Sequence, residues 1–410
     1  MAPTRPNKKK GGAKAKARRA VPSQNPRQLM AQATAELEAG DTRAALRLAE
    51  AAYDQIGAGG GREGAALTLL GGIHVEMGDM DEARSCFMNA VKAAPDDELP
   101  EGPLPEDSGG GAEKFLWLAQ LSEEGGRESV VWFERGATVL RAQIGALTEA
   151  LEKARQRTHP AASATTEESE SAAVREAQAA VDEKKHKLAE TLCAVAEVYM
   201  TDLSWEEDAE ARCEALVTEA GLLAPDHAET WQTLANVRVS QARTAEARTA
   251  LERSLALWAD LPPEDPAVPP FPTRVGLARL LMEVEMEEVA VEVVERLVDE
   301  DDESVEAWYL GGYALYTIGQ KQREEKGAGK DGEADGWKRA WKAGRRWLAQ
   351  CLLLFQAQEY EDERLGEHAK ELFESIREEI GDAVEGEEDE DDGWDDTDDD
   401  EGDDEDEEMQ

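Results

Sequence analysis

Residues 67–95 read LTLLGGIHVEMGDMDEARSCFMNAVKAAP, and this segment has the spacing of one helix-turn-helix unit. The small side chains of Gly71 and Ala83 allow two helices to approach closely, and Phe87 fills the space between them. Gly78 supplies the turn between the helices, and a proline ends the second one. The segment therefore predicts two short helices that pack against each other.

The same unit recurs along the chain at one fixed offset. The first-helix anchor and the second-helix alanine are 16 residues apart in four places: Leu29 and Ala45, Leu67 and Ala83, Trp231 and Ala247, and Arg274 and Ala290. A helix pair that repeats in this way is typical of the tetratricopeptide repeat, which has roughly 34 residues. Apolar residues also return at three- and four-residue spacing. The predicted fold class is all-α, a tetratricopeptide-repeat superhelical solenoid.

About seven such helix pairs fit the sequence between residues 28 and 381. Two of them are degenerate, at residues 112–140 and 186–224. After the last pair, an apolar stripe over residues 361–380 predicts a helix that caps the open end of the stack. Breaks in the pattern predict loop insertions, which lie near residues 95–112, 155–175, 261–272 and 320–336.

The chain is strongly acidic, with 45 Lys and Arg against 91 Asp and Glu and a formal net charge of −46. Residues 1–27 contain nine bases and no acid, residues 382–410 contain twenty acids and no base, and both are predicted to be disordered tails. Removing both tails leaves 36 bases against 71 acids in the body. Such a body repels nucleic-acid phosphates and anionic membranes, so direct contact with either is not expected. A basic protein partner is favoured, and acidity that serves only solubility is the alternative.

Cysteine usage and hydropathy predict a soluble intracellular protein. Cys86, Cys193, Cys213 and Cys351 are far apart and form no C-x-x-C pair, which is typical of reduced, packed thiols. The N-terminus lacks an apolar signal core, and no apolar run is long enough to cross a bilayer.

No constellation of residues predicts catalysis, a metal site or a cofactor. The five histidines are scattered, with no H-E-x-x-H motif and no Cys/His cluster. The glycine-rich segment 57–62 lacks the lysine and hydroxyl residue of a phosphate-binding loop, and the acidic run 387–393 lacks the helices that flank a calcium loop. Carboxylates on open helix faces lack the burial that shifts a catalytic pKa. The chain is therefore predicted not to be an enzyme.

The predicted binding site is the concave wall that the first helices of stacked pairs line in such a solenoid. Registering the units on their anchors predicts that thirteen polar side chains point into it: Glu38, Glu76, Glu123, Glu190, Glu197, Asp202, Glu229, Gln232, Asn236, Glu283, Glu306, Tyr309 and Tyr313. Carboxylates bind guanidinium groups and tyrosine faces accept cations, so this set suits a peptide rich in Arg and Lys. The alternative for each glutamate is an ordinary solvated helix position. Tetratricopeptide clamps for acidic peptides need bases on this wall, and here the charge has the opposite sign.

Several segments resemble one known family closely. They are residues 306–313 (EAWYLGGY), residues 201–204 (TDLS), residues 208–213 (DAEARC), the tryptophan-rich segment with Trp341, Trp347 and Cys351, and the acidic tail around Trp394. From about residue 27 to the tail, the chain is similar to the fungal assembly chaperones dedicated to the large-subunit ribosomal protein L-four. The resemblance implies that the partner is this basic ribosomal protein, bound through its extended internal loop at the carboxylates named above. It also implies that the bound loop is shielded from aggregation and premature RNA contact and escorted to nuclear pre-60S assembly.

The two tails suggest further roles. The basic segment with Lys8, Lys9 and Lys10 is predicted to be a nuclear localisation signal, which suggests an import receptor as a second partner and a location in cytoplasm and nucleus. A merely solvated tail is the alternative. The acidic C-terminus either captures basic segments by long-range attraction or only aids solubility. Two other functions stay open at this point, a generic tetratricopeptide adaptor and an acidic histone-type chaperone.

Overall fold

The computed structural model describes residues 25–59, 62–95, 111–157, 164–327 and 336–381, and fifteen helices form its regular structure. No described residue is part of a strand. Consecutive helices form seven pairs, followed by a single helix at the end. The predictions of an all-α tetratricopeptide-repeat fold, of about seven pairs and of a capping helix are confirmed.

The described residues divide into two compact units, one that ends at Pro269 and one that begins at Pro270. In the first unit, the pairs are α1 (Pro26–Glu38) with α2 (Thr42–Ile56), α3 (Glu63–Glu76) with α4 (Met80–Ala93), α5 (Glu113–Gln120) with α6 (Gly126–Arg157), α7 (Ala164–Met200) with α8 (Ala209–Leu223), and α9 (Ala228–Ser240) with α10 (Thr244–Leu255). In the second unit, they are α11 (Phe271–Glu283) with α12 (Glu287–Glu300) and α13 (Val305–Gly327) with α14 (Gly336–Ala357), followed by α15 (Glu363–Ile380).

In four of the pairs, the turn between the two helices has the same backbone geometry. The backbone φ angle is +81° at Gly40, +78° at Gly78, +55° at Ala242 and +62° at Glu285, each 11 residues after its first-helix anchor. Each of these N–H groups donates to the carbonyl three residues back at 2.9–3.1 Å, and the next N–H donates to the carbonyl five residues back. This is the Schellman arrangement, which favours glycine because glycine has no Cβ.

Replacing Ala242 or Glu285 by glycine is therefore expected to stabilise the protein. The left-handed conformation costs an L-residue roughly 1–2 kcal/mol, and the greater entropy of glycine in the unfolded chain offsets part of the gain, which leaves ~0.5–1 kcal/mol. Chemical denaturation of each variant measures this. Gly78→Ala is the matched control and should destabilise the protein, so three neutral results would contradict the argument.

Small residues let the helices of a pair approach closely, as the sequence predicts. A Cβ atom on Gly71 would lie 2.6 Å from Cε1 of Phe87, and one on Gly136 would lie 2.6 Å from Cδ2 of Leu116. Ala83 and Phe87 are fully buried. The roles predicted for Gly71 and Phe87 are confirmed, because any larger residue at Gly71 would push the aromatic ring out of place.

Two helices of the first unit are much longer than a repeat helix, since α6 has 32 residues and α7 has 37. Leu151 and Val181 are buried in these extensions, and Nη2 of Arg155 donates to Oε1 of Gln178 at 2.8 Å. Where a loop insertion was predicted near residues 155–175, α6 continues to Arg157 and α7 begins at Ala164, so the prediction is wrong for residues 155–157 and 164–175. Residues 158–163 lie outside the described residues. An Ala- and Glu-rich stretch has high helix propensity, and a packed neighbour stabilises it further.

The last pair of the second unit departs from the prediction in the same way. Residues 320–327 of the insertion predicted near 320–336 continue α13 as a helix, and residues 328–335 lie outside the described residues. Trp341 of α14 packs beside Gly319, where an added Cβ atom would overlap with its ring, and Arg323 of the extension lies over the same ring at 5.5 Å. The indole Nε1 of Trp341 donates to the carbonyl oxygen of Tyr316 at 3.0 Å.

The capping helix α15 packs on α14 and buries the apolar stripe that the sequence predicts, Leu365, Ala369, Leu372 and Ile376. The carboxylate of Asp362 begins the helix by accepting from the N–H of Leu365 at 3.2 Å.

The other predicted insertions and the two predicted tails lie only partly within the described residues. Residues 256–270, where an insertion was predicted near 261–272, form turns between α10 and α11. Residues 96–110 of the insertion near 95–112, residues 1–24 of the basic tail and the acidic tail 382–410 lie outside the described residues.

Candidate partner-binding surface

The main candidate surface lies in the first unit, where α7 and α9, the first helices of successive pairs, contact each other. Glu190 and Glu197 are exposed on α7, and Glu229 is half-buried in the first turn of α9. Glu190 and Glu197 are seven residues apart and therefore share one face of their helix. These three residues are called the α7–α9 acidic surface below.

The carboxyl group of Glu197 has an unusual environment. Burial raises the pKa of Glu197, and the negative charge of nearby Glu229 raises it further. The side chain nevertheless keeps access to solvent, so its carboxyl group is only partly desolvated. Two like charges in partly desolvated surroundings repel each other, and a cation placed between them relieves the repulsion.

Small polar side chains lie close to Glu197 and Glu229. Cys193 of α7 and the hydroxyl residues Thr230 and Thr233 of α9 are all buried, and the two threonines lie beside the thiol. Burial raises the pKa of Cys193 to about 12, with the charge of Glu197 as a smaller cause. The thiol therefore stays protonated at neutral pH and does not act as a nucleophile.

One edge of the surface carries basic groups. Glu190 lies 3.6 Å from Nζ of Lys187 and 3.7 Å from Nε2 of His227. By contrast, Glu197 and Glu229 form no salt bridge with any residue that the structure describes. The negative charge of Glu190 is thus partly compensated within the chain, whereas the other two carboxylates are available to a partner.

The basic edge was not predicted, because the five histidines are scattered along the chain. The rings of His186 and His227 are 5.4 Å apart, and Nε2 of His186 lies 3.0 Å from a carboxylate oxygen of Asp226. The repeat register contained a signal for this pairing, because the predicted unit at residues 186–224 begins at His186 and His227 directly precedes α9, the first helix of the next pair.

The other predicted residues have varied environments. Four of them are exposed: Glu38, Glu76, Asn236 and Glu283. Glu123 is exposed as well, but its carboxylate lies 3.0 Å from Nη1 of Arg84. Glu306 forms an ion pair with Arg279. Glu123 and Glu306 are therefore partly neutralised within the chain, and a binding role for the four exposed residues stays a prediction.

Two predicted residues have structural roles instead. The side chain of Gln232 is 7% exposed, and its Nε2 donates to Oγ of Ser254 on α10 at 3.4 Å. The prediction that Gln232 points into the binding wall is wrong, because the side chain packs against the second helix of its own pair. Oδ2 of Asp202 accepts from the N–H of Gly126 at 2.9 Å, where a carboxylate suits the N-terminus of α6.

The two tyrosines pack against the capping helix rather than presenting open faces. The hydroxyl of Tyr309 lies 2.7 Å from Nδ1 of His368 on α15, and the ring of Tyr313 lies 5.3 Å from the same imidazole. Burial raises the pKa of Tyr309 to about 12. Their predicted use as cation acceptors is not supported by this environment.

The described ranges show no arrangement typical of a metal site or of a membrane span. No group of three or more His, Cys, Asp or Glu residues there is arranged to hold a metal ion. No helix in the same part of the chain combines the length and the apolar content that a membrane span needs.

Comparison with known proteins agrees with this fold. Residues 65–97 match the tetratricopeptide repeat family, and they include the unit at residues 67–95. A protein of Emericella nidulans named "Probable assembly chaperone of rpl4" is 42% identical over 366 residues, which cover 88% of this chain and 84% of the relative. The chain belongs to the family of rpl4 assembly chaperones.

Further members of the family are also similar to this chain. A Schizosaccharomyces pombe protein with the same name is 30% identical over 337 residues, or 82% of this chain and 86% of the relative. A solved structure described as "Assembly Chaperone of RpL4 (Acl4) (Residues 1-338)" is 60% identical, with a TM-score of 0.65. The match covers 74% of this chain and 99% of the solved chain. The family resemblance inferred from the sequence is confirmed, and the family is named for a chaperone role rather than for a reaction.

Proposed function

We propose that this chain binds newly made RpL4, the ribosomal protein named in its relatives, and holds the basic extended loop of that protein at the α7–α9 acidic surface. The bound loop is shielded from aggregation and from premature contact with RNA. The complex then passes from the cytoplasm to the nucleus, where RpL4 joins the pre-60S ribosome. The chain acts by binding alone and uses no enzymatic step and no cofactor.

The observation that carries this proposal is the pair formed by Glu197 and Glu229 in a member of the assembly chaperone family. Both carboxylates are unpaired within the described chain, and the partial desolvation and like charge that raise the pKa of Glu197 favour a cation beside it. An arginine side chain can form charge-assisted hydrogen bonds with both carboxylates. The same loop is attracted by ribosomal RNA phosphates, so incorporation into the ribosome provides the competitor that releases it.

Affinity purification of the chain from its own cells, with nuclease treatment and mass spectrometry, tests the proposed partner. RpL4 should be the dominant partner and should survive nuclease treatment, because the chain repels RNA. Histones as the main partner would instead indicate a histone chaperone. A heterogeneous set without RpL4 would indicate an adaptor, and either result would refute the proposal.

Glutamine in place of Glu197 is expected to stabilise the free protein slightly and to weaken binding of the RpL4 loop. A carboxyl group whose pKa is raised by folding reduces stability once it ionises, so removing its charge adds roughly 0.2–0.5 kcal/mol at neutral pH after allowance for solvent screening. This gain should vanish below the unfolded-state pKa of ~4.3, where the wild-type carboxyl is neutral in both states. The loop loses one charge-assisted contact, which is worth about tenfold in affinity.

Thermal unfolding at neutral and acidic pH, together with titration of a loop peptide, measures both effects of this change. Glu252→Gln on the exposed face of α10 is the matched control and should leave both quantities unchanged. A loss of stability in the Glu197 variant at neutral pH would contradict the electrostatic argument.

Nuclear entry is proposed to use the basic segment with Lys8, Lys9 and Lys10, bound by an import receptor. Replacing the three lysines by alanine in the full-length, fluorescently tagged chain should shift it to the cytoplasm. Binding of the RpL4 loop in vitro should not change. Undiminished nuclear accumulation would assign these lysines to a solvated tail.

A further inference from the structure

Helix α14 differs in charge from the acidic body around it. It contains five basic residues and no acidic residue over Gly336–Ala357. Four of these are exposed: Lys338, Arg339, Lys342 and Arg346. They are called the α14 basic stripe below. The stripe extends over nine residues, or ~12 Å of helix, and like charges at four-residue spacing on it favour an anionic segment beside them.

The fifth base joins this helix to the end of α15. Arg345 is 6% exposed, and its Nη1 donates to the carbonyl oxygen of Gly381 at 2.6 Å. Arg323 of α13 adds a second contact, with its Nη2 at 3.1 Å from Oε2 of Glu379. The first contact holds the end of α15 at α14 and the second holds it at α13, so the acidic segment that follows Gly381 starts at the helix that carries the basic stripe.

We propose that the α14 basic stripe binds residues 385–392 of the same chain, EGEEDEDD. This segment contains seven acids and no base. Its first acid is four residues beyond Gly381, a reach of at most ~13 Å, which matches the length of the stripe. The short connection gives an effective concentration that is about millimolar, so individually weak ion pairs add up to binding.

The tether favours this occupant over an external anion such as RNA. A free polyanion must approach a body that carries 71 acids against 36 bases, and long-range repulsion opposes its approach. The tail carries the same kind of charge but is already at the stripe. Binding of the tail also occupies the basic surface and so hinders its use by RNA. The contact between the acidic tail and the α14 basic stripe does not depend on bound RpL4.

Zero-length carbodiimide coupling tests the contact in the full-length protein, because it joins a lysine amine to a carboxylate that touches it. Lys338 and Lys342 should couple within one chain to carboxylates of residues 385–392, identified by mass spectrometry. The Arg339→Gln/Arg346→Gln variant keeps both lysines as reporters and should reduce this coupling about fivefold, because two charges of the stripe are lost. About 0.5 M salt should have a similar effect.

A matched control removes two exposed bases from another helix, Arg43→Gln/Arg47→Gln in α2, and should leave the coupling unchanged. Coupling of the tail mainly to Lys8, Lys9 and Lys10, or equal coupling in both variants, would overturn the proposal. Absence of this coupling in the full-length protein would overturn it as well. If that protein also binds heparin through Arg339 and Arg346, the stripe serves an external polyanion instead.

Discussion

Replacing Glu190, Glu197 and Glu229 together by lysine is expected to abolish capture of the basic RpL4 loop. The change turns three attractive charges into three repulsive ones across a single surface, and like charges facing each other across an interface cost several kcal/mol. Glu197 should contribute most, because its partly desolvated surroundings screen charge less than bulk water does. Affinity should fall at least ~100-fold, measured by titration of full-length protein with the loop peptide.

The control must carry the same change in net charge. Glu210→Lys, Glu252→Lys and Glu288→Lys alter three exposed glutamates on the second helices α8, α10 and α12. This variant should lower affinity only modestly through long-range attraction, and that loss should disappear as salt is raised. Equal losses in the two triple variants would mean that total acidity, not the α7–α9 acidic surface, holds the loop.

Alanine at Gly319 is expected to cause a large loss of stability in the second unit. The new Cβ would overlap with the indole of Trp341, which stacks on Tyr316 at a centroid distance of 5.5 Å and donates a hydrogen bond to its carbonyl. Arg323 lies over the same indole at 5.5 Å. The ring is held on several sides, so the overlap should destabilise the unit by ~2–3 kcal/mol even after the gain in helix propensity.

Gly276→Ala in α11 is the matched control within the same unit, because a Cβ atom there meets no atom within 4 Å. That change should stabilise the protein by ~0.5–1 kcal/mol through helix propensity alone. Denaturation followed by tryptophan fluorescence separates the two. Similar stabilities for the two variants would show that α13 and α14 can move apart at little cost.

Much of the fold was predictable because the information was local. The offset of 16 residues, the small residue at Gly71 and the apolar stripe of α15 each follow from contacts between neighbouring helices. The helical extension near residues 155–175 was not predictable in this way. Its composition suits either a linker or a helix, and the antiparallel partner that stabilises the helical form becomes visible only when α6 and α7 are placed together.

The candidate site was predictable in part. The face of a helix follows from spacing, so the separation of seven residues puts Glu190 and Glu197 on one face of α7. What covers a face does not follow from spacing. Ser254 from α10 faces Gln232, and His368 from α15 contacts Tyr309 and Tyr313, over separations of 22 to 59 residues.

The sequence by itself determined that this protein is a series of acidic helix pairs that suits a cationic partner, because helix periodicity and net charge are properties of the chain and need no coordinates. Only the tertiary structure decided which carboxylates stay available. Burial and like-charge repulsion at Glu197 arise from neighbours that the fold brings near, and the same fold neutralises Glu306 with Arg279 and buries Gln232. The strength of a charge at a surface depends on its surroundings, and those exist only after folding.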